Sequence, residues 1–182
     1  RNFCWRESRN ALGAVQQTKD MLMIKAGDTL PDINLAVATS EGPDPRKSSD
    51  LFAGKKTALF AVPGAFTPTC SARHLPGFVE KADELRAKGI DQIACISVND
   101  AFVMGAWGQS AQAGDKVMML ADGNGDFAKA VGLEMDASGF GMGTRSQRYA
   151  MVIDDNTATH VFVEEPGAFE VSSADHMLSQ LD

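Results

Sequence analysis

The stretch "PGAFTPTC" at 63–70 places a cysteine behind two prolines and two threonines, directly after the apolar run "TALFAV". A cysteine used only for packing belongs inside such a run. Cys70 instead stands where the chain leaves a strand and turns into a helix. The thiolate is the nucleophile, and a free cysteine with a pKa of about 8.5 is mostly protonated at neutral pH. The first turn of a helix offers unpaired N–H groups and partial positive charge, both of which favour the anion. A guanidinium would add a full charge. "TRSQRYAMV" supplies Arg145 and Arg148, and Arg148, at the opening of a predicted strand, is the more rigidly held. His74 follows Cys70 by one helical turn on the same side. Such a pair fits a Cys-dependent hydrolase or acyltransferase, although no Asp or Asn to orient the histidine is identifiable. Otherwise His74 packs beside the nucleophile and tunes it. Cys70 and His74 lack a second ligand pair and His160 and His176 are isolated, so neither a metal nor a cofactor is expected. Cys95, inside "IACISV", reads as a core residue.

These residues need elements to hold them. "DINLAVA" (32–38) reads as a strand followed by a turn-rich loop, "TSEGPDPRKSSD". "TALFAV" (57–62), "IACISV" (93–98) and "KVMML" (116–120) read as strands buried on both faces. A helix is predicted from Thr69 to Gly89, with a kink at Pro76. "DAFVMGAWGQSAQAG" and "FAKAVGLE" are the next helices. "RYAMVIDDNTATHVFVEE" reads as two strands around an Asp-Asn turn, and "SSADHMLSQL" as a last helix capped by Ser172 or Ser173. This alternation predicts an α/β sheet covered on both faces, with ligands at the carboxyl ends of its strands. "DGNGDF" imitates a calcium loop, but Phe127 and Leu133 stand where Gly and Glu are needed, so it is a turn. The glycines of "SGFGMG" lack the spacing of a nucleotide cradle. Phe66, Met104 and Trp107 read as core residues.

Composition narrows the partners. A net charge of −7 and a pI near 4.9 argue against non-specific nucleic-acid binding. No apolar run approaches the ~20 residues of a membrane span. Three cysteines make no disulfide framework, which points to a reducing compartment such as the cytoplasm. Residues 1–22 carry four Lys/Arg against two acids, unlike the acidic remainder. They read as a leader, either vector-derived or left from a trimmed organelle-targeting peptide, with Cys4 given no functional weight. Residues 23–182 read as one domain.

Pro63, Thr67 and Cys70 match the Pro-x-x-x-Thr-x-x-Cys signature of the peroxiredoxins. The fuller string "VPGAFTPTCSARHLPGF" resembles their peroxiredoxin-5, or type II, subfamily, and the resemblance continues through "SVNDAFVMGAWG", "LADGNGDFAKAVGLEMD", "RSQRYAMVIDD" and "VEEPGAF". It implies a thioredoxin-like fold, a central mixed sheet with helices on both faces. It also implies a thiol peroxidase that reduces hydrogen peroxide and small organic hydroperoxides. Cys70 would be the peroxidatic cysteine, oxidised to a sulfenic acid. Thr67 would hydrogen-bond the thiolate and the peroxide, Pro63 would shape and shield the loop, and Arg148 would hold the thiolate and substrate oxygens. Animal-type members carry a resolving cysteine near the C-terminus, whereas "EPGAFEVSSADHML" has none. Cys95 resembles the second cysteine of plant and bacterial members, which accept electrons from glutaredoxin with glutathione or from thioredoxin. The resemblance also implies a homodimer whose face, formed by loops near the active site, would suit apolar side chains such as Phe66, Met104 and Trp107. A redox-sensing thiol protein would share the first step, and turnover with excess reductant separates the two.

Overall fold

The computed structural model describes residues 22–182. Apart from Leu22, the leader expected over residues 1–22, with its Cys4, lies outside the described residues. Three apolar runs form parallel neighbours at the sheet centre: β3 (Lys56–Ala61), β4 (Gln92–Ser97) and β5 (Met118–Ala121). Antiparallel strands flank them: β1 (Asn34–Thr39) and β2 (Gly42–Lys47) on one side, β8 (Tyr149–Asp154) and β9 (Thr157–Val163) on the other. The order is β2-β1-β5-β4-β3-β8-β9, a mixed sheet. A separate hairpin joins β6 (Glu134–Asp136) to β7 (Thr144–Ser146).

Side chains alternate across the sheet and meet helices on each face. Ala58, Phe60, Val62 and Cys95 face α2 (Leu75–Glu80), α3 (Ala82–Ala87), α4 (Ala101–Ser110) and α6 (Ala174–Gln180), where Phe78, Leu85, Met104, Trp107 and Met177 complete one buried cluster. Leu59, Ala61, Ala94 and Ile96 face α1 (Ser48–Phe52) and α5 (Asp126–Ala130), through Phe52 and Phe127.

Several expectations need correction. The loop expected after β1 contains β2 and α1. Pro43 and Pro45 pair with Ala38 and Ala36 in alternate positions of an edge strand. There, N–H groups missing from the outer edge leave the ladder intact. The single helix expected from Thr69 is three pieces. It opens at Pro68 and widens into a π turn over Cys70–His74 before α2, and α2 and α3 part at Lys81 (φ −93, ψ 7). Pro76, where a kink was expected, lies in the first turn of α2, directly after the widened turn. Phe66 is not a core residue, being 54% exposed, whereas Met104 and Trp107 are buried. The Asp-Asn turn is as expected, with Asp155 and Asn156 both at positive φ (45 and 66), the geometry of a two-residue type I′ hairpin. Ser173, rather than Ser172, caps α6, accepting from His176 N–H.

Candidate active site

The 62–67 loop leaves the carboxyl end of β3 and is bound to the next strand. Val62 N–H donates to Ile96 O (3.1 Å), and Ala65 N–H donates to Asn99 Oδ1 (3.0 Å), which also accepts from Ser97 Oγ (2.7 Å). Gly64 is closely approached: a Cβ there would lie 3.0 Å from Met142 Cε and 3.1 Å from Thr67 Cγ2. Phe66 takes a left-handed φ of 62, costly for a bulky residue. The loop thus enters its helix in one fixed orientation, with Pro68 at the first helical position, where its missing N–H is of no consequence.

Cys70 is fully buried. Its Sγ meets Thr67 Oγ1 at 2.8 Å and Arg148 Nη2 at 3.2 Å. Arg148 lies one residue before β8, and its backbone carbonyl accepts from Glu164 N–H (3.0 Å). Arg145, the alternative, donates instead to Met142 O (2.9 Å) and Val98 O (3.0 Å) and clasps two loops. Pro63, half-buried, begins the loop that carries Thr67.

His74 is fully buried between aromatic rings: Phe60, Phe78 and Phe169, at centroid distances of 4.9, 5.7 and 4.9 Å. A guanidinium only donates, so His74 Nδ1, 2.9 Å from Arg148 Nη1, is the acceptor. The ring hydrogen is therefore on Nε2, donating to Ser172 O at 2.9 Å. Burial, and then the charge of Arg148, hold the His74 pKa down at about 3. With both nitrogens committed and the ring neutral, His74 is no general base for Cys70, which argues against the hydrolase geometry. Ser71, next to Cys70, accepts from Trp107 Nε1 (3.0 Å) and ties the π turn to α4.

Cys95 is fully buried in the middle of β4, between Phe60 and Met119 on the neighbouring strands. Burial, followed by the neighbouring Cys70, pushes its thiol pKa up. It shares a cluster with Cys70 but makes none of the contacts to its sulfur described above. Among the described residues no group of three or more His, Cys, Asp or Glu could hold a metal ion. In "DGNGDF", Asp122 accepts from Phe127 and Ala128 N–H (3.0 Å each) and so caps α5.

Sequence reasoning missed Asn99, Glu164, Ser172 and Phe169. Glu164 Oε1 accepts from Glu170 N–H (2.7 Å), Ser172 N–H (2.8 Å) and Ser172 Oγ (2.8 Å). Phe169 lies 5.8 Å from the Arg148 guanidinium, ring centroid to Cζ. No spacing rule marks these residues. A carboxylate ending the apolar strand "HVFVEE" was the one available hint.

A cysteine met by a hydroxyl and a guanidinium, beyond the end of a central strand of a mixed sheet, defines a class: the chain belongs to the redoxin family, whose model matches residues 25–178. It is 54% identical over 162 residues to peroxiredoxin-2E, chloroplastic, of Arabidopsis thaliana, a match covering 87% of this chain and 69% of that protein. Identity to peroxiredoxin-2B of the same plant is 48% over 163 residues, 88% of this chain and all (100%) of the relative. Among solved structures, reduced Prx3 in complex with H2O2 from Vibrio vulnificus superposes with a TM-score of 0.84 at 56% identity, covering 88% of this chain and 100% of that one. Peroxiredoxin 5 from Alvinella pompejana gives 0.76 at 38% identity, covering 86% and 96%. Within the redoxins, then, this is a peroxiredoxin of the type II group with a thioredoxin-like fold, a thiol-dependent peroxidase. Among the described residues no helix is long and apolar enough to cross a membrane.

Proposed function

We propose that Cys70 is the attacking thiol and that Thr67, Arg148 and Pro63 form its site. The observation that carries this reading is the convergence of Thr67 Oγ1 and Arg148 Nη2 on one sulfur. Both donors favour the thiolate over the thiol. The thiolate attacks the terminal oxygen of a hydroperoxide, the O–O bond breaks, and the departing alkoxide or hydroxide takes a proton from water. Cys70 is left as a sulfenic acid and the peroxide as an alcohol or water. The same two donors face the oxygens on which charge develops. Pro63 fixes the loop that presents Thr67. A wholly buried sulfur suits hydrogen peroxide and small organic hydroperoxides better than bulky ones.

An external thiol then reduces the sulfenic acid, forming a mixed disulfide and water, and a second thiol releases Cys70. Cys95 is bracketed by β3 and β5, so carrying it to Cys70 would break a central strand. Glutathione with glutaredoxin, or thioredoxin, supplies the electrons. The compartment is a reducing one, cytosol or organelle interior, and the word chloroplastic in the names of two relatives favours the latter. The protein acts as a homodimer, which the exposed phenylalanines near the site support.

The test is steady-state peroxide consumption with either reductant system. Cys70→Ser should abolish it with the fold retained, because a hydroxyl is a far poorer nucleophile at neutral pH. A folded Ser variant that still turns over would place the nucleophile elsewhere. Cys95→Ser should keep most turnover, and its loss would show that Cys95 is the internal reductant.

A further inference from the structure

We propose that Glu164, remote from the sulfur, is a positioning residue that sets the aim of the Arg148 guanidinium on Cys70. The inference rests on Cys70 and Arg148 acting as stated above. Glu164 holds Arg148 at both ends. Its backbone N–H donates to the Arg148 carbonyl (3.0 Å). Its Oε1 gathers the backbone N–H and the hydroxyl of Ser172 (2.8 Å each) and the N–H of Glu170 (2.7 Å), folding the segment between them into a fixed loop. That loop presents the Ser172 carbonyl to His74 Nε2 (2.9 Å), and His74 Nδ1 accepts Arg148 Nη1 (2.9 Å). Arg148 backbone, Glu164, Ser172, His74 and Arg148 side chain therefore form a closed ring, from which only Nη2 points to the sulfur, at 3.2 Å.

The ring explains two features that the chemistry alone does not. One is a carboxylate only 7% exposed, with three donors on a single oxygen. The other is a histidine with no polar contact to the nucleophile although it lies one turn away. A histidine serving only to pack has no need of a fixed tautomer. Here the Ser172 carbonyl requires the hydrogen on Nε2, which leaves Nδ1 as an acceptor for the guanidinium. Glu164 determines where that carbonyl stands. Without it, the loop loses three hydrogen bonds, the Ser172 carbonyl moves, and the hold on Nη1 slackens.

The readout is the second-order rate constant for oxidation of reduced Cys70 by hydrogen peroxide, measured in a single turnover so that no reductant enters. Glu164→Ala should slow this step, by up to the ~100-fold that an ångström of misplacement costs a reacting geometry. Glu164→Gln keeps an oxygen in place and should retain most of the rate. His74→Phe keeps a ring but removes the acceptor, and should slow the same step. If Glu164 acts through His74, the Glu164→Ala/His74→Phe double variant should be no slower than the slower single variant. A Glu164→Ala rate within about twofold of wild type, or losses that multiply in the double variant, would overturn the proposal. Nitrogen NMR of His74 in the unaltered protein tests the ring without any variant: the hydrogen should reside on Nε2 at neutral pH, and an Nδ1–H tautomer would overturn it even if Glu164→Ala fails to fold. Arg148→Met, run alongside, separates the two readings. A wild-type rate there would bring down the site assignment as well, whereas a loss there without one in Glu164→Ala removes the ring alone.

Discussion

Thr67 has one hydroxyl hydrogen and two acceptors at 2.8 Å, the Gly64 carbonyl and Cys70 Sγ. When the sulfur carries its proton, S–H can donate to Oγ1 while the hydroxyl donates to Gly64. When the sulfur is a thiolate, the hydroxyl turns to it, so Thr67 follows the charge of the nucleophile without moving. Arg148 cannot adapt in this way, because a guanidinium always presents N–H and always favours the anion. Arg148→Met should therefore slow the peroxide step by about 100-fold. Arg145→Met, which frees two loop carbonyls, should change that rate far less. The reverse ranking would transfer the role to Arg145. At this scale the sequence is legible where side chains meet directly: Cys70 and Thr67 lie three residues apart, and Arg148 stands at the opening of a strand. Glu164 and Ser172 were invisible because they act through backbone groups and at long separation (His74 to Ser172 spans 98 residues).

The π turn at Cys70–His74 is a small irregularity that carries much of the site. Its wider ring sets Cys70 toward Thr67 and Arg148 while His74 points into the aromatic cluster and reaches the loop before α6. A hydrophobic pattern of 3.6-residue period cannot reveal such a turn, because Leu75, Phe78, Ala82 and Leu85, which carry the pattern, all follow it. The central strands were legible because parallel strands buried on both faces need unbroken apolar runs. β2 was not, since its two prolines are loop signals everywhere except on a sheet edge. The docked histidine has a consequence for acid stability. In the folded protein His74 titrates at about 3 against an ordinary 6.5, burial being the larger cause and Arg148 the second. Arg148 is the charged group bonded to it, and the surrounding Phe60, Phe78 and Phe169 rings carry no charge. Between those values the unfolded chain takes up a proton that the folded chain refuses. The contribution is complete above pH 6.5 and is lost on acidification, by about 1.4 kcal/mol for each pH unit. Denaturant unfolding at pH 7 and pH 5 should show wild type losing about 2 kcal/mol more than His74→Phe. Equal losses would mean that His74 titrates alike in both states.

Across the whole molecule, the loops that build the site gather at one end of the sheet. Ala65 is bound to Asn99, Arg145 to Val98, and Gly64 lies against Met142. Those same loops, with the start of α4, expose Phe66 (54%), Phe102 (73%) and Phe140 (85%). Three uncovered phenylalanines around one end suit a face shared with a second copy. Sedimentation should report a dimer that Phe102→Glu converts to a monomer, and a monomeric wild type at assay concentrations would refute the dimer. The distribution of the site along the chain also has a consequence in time. Cys70 is made 78 residues before the arginine that meets it. At about 5–20 residues per second, a ribosome takes roughly 4–16 s to cover that distance. Over that interval β3 has no β8 beside it, and Cys70 has no guanidinium near its sulfur. The contact between Cys70 and Arg148 forms only late in synthesis, when the segment that carries the arginine folds back across the sheet.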